Sequence, residues 1–419
     1  MMSAFGHKFR AVGVLLLGLS LPTGVLADTR YESSIVGLIE NIHAGEADTA
    51  MAEARILADS EPVARLANLV YADLLAARAG VLDSVGGLAS GDGDSLANLQ
   101  RELRVRWTRH SGEIPALAER YPSSLLQMAA SSRHLIYADL SQSRLYVYEN
   151  QDGLPVLIKD YYVTQGLRGP GKRVEGDQRT PVGVYHTTGY ISGQTLPSRY
   201  GPGALPITYP NAFDRRQKHT GYGIWIHGTE PFLQNRSPLA SDGCLSLNNS
   251  DFRHLDRLIS RQKHTPVIIE EQPKWVSPAF ITAARESWLM RLERWRSSWE
   301  SRDLSTFLAY YDSQAFTPQK GSYPEWAATK REVFAHTPSL KVSISDIELF
   351  EYPGRNGVVV AEFRQRYESP GFSSVIRKQQ FWQRQAGGAW KIVLESRSPK
   401  SPPVNVVRKR KNNPVTPTS

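Results

Sequence analysis

A single cysteine, Cys244, stands in 419 residues. One thiol excludes an internal disulfide framework, a zinc site built on several thiolates and a CxxC redox pair. Long apolar runs are equally scarce. The best candidate, Ala11 to Leu21, ends after 11 residues, and a bilayer-spanning helix needs about 20. Charge of one sign is not in large excess, with 50 Lys+Arg against 41 Asp+Glu. The 10 histidines have no metal-ligand spacing, so no metal is expected. These shortages argue against a disulfide-stapled module, an integral membrane protein and a nucleic-acid binder. They also raise the question of why one cysteine is retained.

What is present is ordinary globular usage, 41 % hydrophobic and 22 % charged, in a length that suits two or three domains. The first 27 residues read as an export signal. Lys8 and Arg10 precede the apolar run, and Val25-Leu26-Ala27 offers a small-residue cleavage site after Ala27. Removing Lys8 and Arg10 leaves 48 basic against 41 acidic residues. The expectation is an exported, periplasmic protein with no integral membrane segment in the mature chain.

Three structured parts and a tail should follow. Residues 28–130 are alanine-rich with helical spacing, as in Ile35, Leu38, Ile39 and Ile42. From residue 131 the period falls to two, and short strands are expected at residues 135–140, 144–148, 156–164, 182–186, 224–227 and 267–270. A helix from Asp251, its expected N-cap, to Ile259 completes a mostly β domain over residues 131–272. Residues 273–398 begin with an apolar helix stripe, Trp288, Leu292, Trp295 and Trp299, and a second helix starting at Asp303. Four strand-like segments follow, an α+β pattern. The aromatic stripe is read as core. Residues 399–419 form a basic tail expected to be disordered, suited to contact with anionic envelope polymers.

The chemistry converges on Cys244. His227 ends an apolar strand, Ile224-Trp225-Ile226-His227, and is followed by Gly228. Seventeen residues on, Ser241-Asp242-Gly243-Cys244-Leu245-Ser246 places the thiol after a glycine. A thiol is mostly protonated at neutral pH, so a neighbouring imidazole is the usual means of generating the thiolate. The amides of Gly243 and Cys244 are candidate donors to an oxyanion.

This stretch resembles the signature of the L,D-transpeptidase (YkuD-like) catalytic domain, a His-Gly followed by Ser-x-Gly-Cys. Gly176-Asp177-Gln178-Arg179-Thr180-Pro181-Val182-Gly183-Val184-Tyr185 is similar to the family's strand entry, and residues 143–148 to its opening strand. The resemblance implies an enzyme of peptidoglycan stem peptides that needs no cofactor. Cys244 would attack the carbonyl preceding the terminal D-Ala, and His227 would act as base and then acid. The Gly228 carbonyl would orient the imidazole, and Ser241 would support the loop or bind substrate. Ser246, Tyr222 and Arg179 are the remaining candidates for substrate contact. The expected activity is transpeptidation, in which an amine acceptor resolves the thioester; the alternatives are an L,D-carboxypeptidase, in which water resolves it, and a non-catalytic wall-binding scaffold with a decayed site.

Two positions depart from the family pattern. Asp242 stands where His or Arg is common, and a carboxylate there raises the thiol pKa if it points inward. Ser246 stands where an arginine usually follows the cysteine, and Arg179, Arg236 or Arg253 could replace that cation. Further on, Trp295 to Leu304, with Phe307, Tyr310 and Tyr311, resembles the start of a nuclear-transport-factor-two-like (SnoaL-like) cone. The expected architecture is multidomain: a helical N-terminal region, a mostly β catalytic domain of the L,D-transpeptidase type and an α+β cone-shaped C-terminal domain. It is similar to that of the cell-shape L,D-carboxypeptidases of helical bacteria, which trim tetrapeptides to tripeptides.

Overall fold

The computed structural model describes residues 30–60, 65–87, 93–110, 120–231, 233, 236–259, 264–318, 320–398 and 406–408. The expected export signal, residues 1–27, lies outside them. Among the described residues, no helix is long and apolar enough to cross a membrane.

Helices Arg30–His43, Ala47–Ser60, Arg65–Arg78 and Gly93–His110 form the N-terminal region. Ile35, Leu38 and Ile39 are buried in its core, as their spacing requires, with Ala50, Ala54, Leu66 and Val70. This region is fixed to the β domain that follows it by buried charge. Arg106 pairs with Glu32 and Glu102 and lies over the Tyr162 ring, 4.0 Å from its centroid. Glu32 also accepts from Arg144, which pairs with Asp160 at 2.5 Å. Removing one member of such a network would strand a charge away from water.

The helical expectation fails at its C-terminal end. Tyr121–Pro122 and Leu125–Gln127 are strands. The first pairs with Trp275–Val276, and the second forms the edge of the C-terminal sheet on Lys341–Glu351. Pairing across more than 150 residues overrides local propensity, and strands of two or three residues leave no period to read.

The catalytic part has two main sheets. One runs Leu154–Tyr162, Arg144–Gln151, His134–Asp139, Pro266–Glu270, Gly183–His186. The other runs Leu245–Ser246, Trp225–His227, Gly203–Pro206, Ile191–Ser192. Their apolar sides meet in one core with helix Asn249–Ile259, through Ile136, Val147, Ile226, Leu245, Phe252 and Leu255. That helix starts earlier than expected. Its cap is Asn248, whose Oδ1 accepts from the Asp251 amide at 2.8 Å and whose Nδ2 donates to the Asp251 carboxylate at 2.7 Å.

The C-terminal part is a cone of antiparallel strands, in the order Trp390–Arg397, Phe372–Arg384, Val358–Ser369, Lys341–Glu351, Leu125–Gln127. Helices Pro278–Glu300, Leu304–Leu308 and Tyr323–His336 pack against it. Trp288, Leu292, Trp295 and Trp299 are all buried there, so the aromatic stripe is core. Asp303 caps the second helix by accepting from the Ser305 and Thr306 amides. The third helix was not expected from periodicity; a Ser322–Glu325 capping box opens it. In the tail expected to be disordered, Val406–Arg408 pairs with Phe372–Ser374; its other residues lie outside the described set.

The cone and the catalytic domain share a core. Tyr137, Val184 and Phe213 on one side meet Phe350, Phe381 and Val393 on the other, with the Phe213 and Phe381 rings stacked at 5.2 Å. A buried polar network lies beside it. Arg377 donates to Glu362 at 2.7 Å and lies 3.9 Å from Glu348, which faces His186 at 3.6 Å. The ligand-type atoms of His186, Glu348 and Glu362 lie within 4.8 Å of one another. The guanidinium of Arg377 already supplies the positive charge these carboxylates require.

Candidate active site

The four-stranded sheet brings the two sequence blocks together. Trp225–His227 runs parallel to Leu245–Ser246, with Ile226 opposite Leu245 and His227 opposite Ser246. Facing residues on paired strands project to the same side, as do positions two apart on one strand. His227 and Ser246 therefore share one face, and Cys244 immediately precedes the strand that carries Ser246.

The imidazole is fixed by its own chain. His227 Nδ1 lies 2.6 Å from the Gly228 carbonyl oxygen. A carbonyl can only accept, so Nδ1 carries the proton and Nε2 is left as a base. The Ser246 hydroxyl donates to the same carbonyl at 3.0 Å. Ser246, expected to touch substrate, is instead enclosed and positions the group that orients the histidine. Burial pulls the imidazole down from 6.5 to about 4, against the Gly228 hydrogen bond, and Arg236 and Arg199 lower it further.

Cys244 is half-buried, and its thiol donates to the Gly223 carbonyl at 3.4 Å. Burial pushes it up from 9.0 to about 11, opposed by a Trp225 amide hydrogen bond and the charges of Lys172 and Arg199; Asp242 adds to the rise. The resting pair is a neutral thiol and a neutral imidazole. Asp242 is exposed and accepts from the Gln178 side-chain amide at 3.4 Å.

The turn before the cysteine is tied down. The Ser241 hydroxyl donates to the Cys244 carbonyl at 2.7 Å and accepts from the Gly243 amide at 3.1 Å. Ser241 thus supports the loop, and the Gly243 amide, expected to serve an oxyanion, is already engaged. Gly243 has φ +122°, and a Cβ there would lie 2.6 Å from the Arg179 carbonyl. Gly228 is hemmed in likewise: a Cβ would come within 2.4 Å of Asn249 Oδ1 and 2.6 Å of Pro202 Cδ.

Of the expected substrate contacts, Tyr222 is 77 % exposed beside Gly223. Arg179 donates through its guanidinium to the Pro170 carbonyl at 2.9 Å. Arg236 is paired with Glu230 at 2.6 Å. The cations that act on Cys244 are others, Lys172 and Arg199. Lys172 is buried and paired with Asp177 at 2.8 Å. Sequence reasoning missed Arg199 and Tyr200, in a 3-10 turn with no motif to mark it; the Tyr200 ring sits edge-on to His227 at 4.9 Å.

A cavity of about 620 Å³ opens in the cone and is lined by Trp299, Phe316, Trp326, Lys330, Lys378 and Glu395. Lys330 lies over Trp299 and Trp326, at 4.9 and 5.5 Å, and burial lowers its ammonium to about 8, with Lys378 adding to the effect.

The fold is that of a domain of the L,D-transpeptidase class joined to a nuclear-transport-factor-two-like cone. Residues 133–269 match the L,D-transpeptidase catalytic domain (YkuD) family model, and residues 287–396 match the Cds6 C-terminal NTF2-like domain. The chain therefore carries both domains. Among solved structures it is similar to Bd1075 of Bdellovibrio bacteriovorus, 27 % identical with TM-score 0.59, over 67 % of this chain and 99 % of that one. It is also similar to the helical cell shape determining protein Pgp2 of Campylobacter jejuni, 27 % identical with TM-score 0.56, over 66 % of this chain and 95 % of that one. No curated protein sequence matches significantly.

Proposed function

We propose that the protein is a periplasmic peptidoglycan enzyme that cleaves the terminal D-Ala from stem tetrapeptides through a Cys244 thioester, with water as the resolving nucleophile. The observation that supports the chemistry is the His227 imidazole, whose Nδ1 is held by the Gly228 carbonyl so that Nε2 is left as a base, on a strand paired with the one that Cys244 immediately precedes. Hydrolysis is favoured over transfer by the two-domain architecture, shared with a cell-shape determining protein over 95 % of that protein's length.

The thiol gives its proton to His227 Nε2 as the sulfur bonds to the scissile carbonyl carbon. The oxyanion takes the Cys244 amide as donor, since Ser241 holds that of Gly243. Collapse breaks the C–N bond, and the imidazolium returns the proton to the departing amine. His227 then deprotonates water, which attacks the thioester; the tripeptide carboxylate leaves and the thiol is restored. Because the resting pair is neutral, proton transfer accompanies attack and does not precede it.

Incubation with tetrapeptide muropeptides and mass analysis of the products tests this. Tripeptide with free D-Ala is the expected outcome. Cross-linked or amino-acid-exchanged products would replace hydrolysis by transpeptidation, and no turnover would leave a wall-binding scaffold.

A further inference from the structure

We infer that Arg199 binds the C-terminal carboxylate of the stem peptide and so replaces the cation that Ser246 removes from the strand after Cys244. This rests on the proposed peptidase reading of the site. His227 must protonate the departing amine, so the leaving residue lies on the histidine side of the thiol. Its carboxylate is two bonds from that nitrogen. On that side the wall is Tyr200, edge-on to His227 at 4.9 Å and 5.1 Å from Trp225. The Arg199 guanidinium lies over the same Tyr200 ring, 5.1 Å from its centroid, and reaches the Tyr200 hydroxyl at 3.4 Å.

The turn that carries Arg199 is built onto the catalytic strand. Gly201 has φ +58°, and a Cβ there would lie 2.1 Å from Asn249 Oδ1 and 2.5 Å from the Thr229 carbonyl. Asn249 Oδ1 in turn accepts from the Thr229 amide at 2.8 Å, two residues past His227. Arg199 is thus held in register with the base.

The other cations near the site are committed: Lys172 to Asp177, Arg236 to Glu230 and Arg179 to the Pro170 carbonyl. Among the described residues no carboxylate pairs with Arg199, and its side chain faces solvent. Its charge acts on both His227 and Cys244. A planar, permanently charged donor pair suits a carboxylate.

The test uses full-length Cys244→Ala protein, which binds without turning over, and calorimetry with a tetrapeptide muropeptide and its C-terminal amide. The acid should bind about 10- to 100-fold more tightly than the amide. Arg199→Gln should erase that preference while binding the amide as before, and Arg199→Lys should restore part of it. In the Cys244 enzyme, Arg199→Gln should raise KM for the acid by a similar factor and leave kcat within about threefold. Acid and amide bound alike, or an acid preference that survives Arg199→Gln, would overturn the inference and leave the peptidase reading intact. Failure of both peptides to bind would overturn the two together.

Discussion

The resting state of the nucleophile can be read directly, because the chain offers only one thiol to an alkylating reagent. Many cysteine–histidine pairs store a thiolate beside an imidazolium, and alkylation then proceeds at low pH. Here burial moves the two groups apart, to about 11 for Cys244 and about 4 for His227. Between those values the thiol keeps its proton and the imidazole holds only the one on Nδ1, so Nε2 is bare and both groups are neutral. At pH 7 a thiol titrating near 11 in place of 9.0 carries about a hundredfold less thiolate. The iodoacetamide rate at pH 7 should therefore fall about a hundredfold below that of an ordinary exposed cysteine, and should climb tenfold per pH unit to a plateau above 11. His227→Ala should change that profile little, because the histidine does not hold the proton at rest. An alkylation rate already at its plateau near pH 6, lost in His227→Ala, would refute the neutral pair and require a preformed ion pair.

Further outcomes follow from the same geometry. Cys244→Ala should abolish D-Ala release from tetrapeptide and leave the melting temperature within a few degrees, since a half-buried side chain is lost without stranding a charge. Gly228→Ala should cost about 1–3 kcal/mol in denaturant unfolding and most of the activity, because its Cβ meets Asn249 and Pro202. The pH dependence of stability has a definite sign at His227. As pH falls through 6.5 the unfolded chain takes up a proton that the folded chain refuses until about 4. The contribution of neutral His227 is whole above 6.5 and lost on the way down to 4, so His227→Gln should flatten the thermal-melting profile across that window. Arg377→Met should destabilise the protein by about 3–5 kcal/mol by calorimetry, because Glu348 and Glu362 lose their counter-charge at the domain interface. The Lys330 ammonium should titrate near 8 by NMR, well below 10.5.

The candidate pair was legible because its chemistry is local: a strand-end histidine before glycine, and a cysteine after glycine. That their segments would lie side by side was not legible; the parallel pairing of two short strands, Ile226 with Leu245 and His227 with Ser246, is a long-range contact with no local pattern to announce it. Nor were the supporting contacts. Nothing in the residue type of Ser246 shows that its hydroxyl would reach the Gly228 carbonyl, and Arg199 lies in a turn without period or motif. Local pattern gave the cone its aromatic helix and long strands. It could not give the edge strand Leu125–Gln127, which is specified by the sheet it joins and not by its own three residues.

That edge strand has a consequence for how the chain is made. Gln127 donates to the Ile347 carbonyl at 3.0 Å, 220 residues further on. The segment bearing Cys244 and His227 is thus spliced between two pieces of one sheet. During synthesis the early strand, with Leu125 and Leu126, waits for a partner emitted only near the end. A chain cut short after residue 272 would hold both reactive side chains yet leave that apolar strand without its seat, a product marked for aggregation or degradation. The layout ties a free-standing fragment of the L,D-transpeptidase-class domain to instability: that domain is released in durable form only by chains completed through the cone.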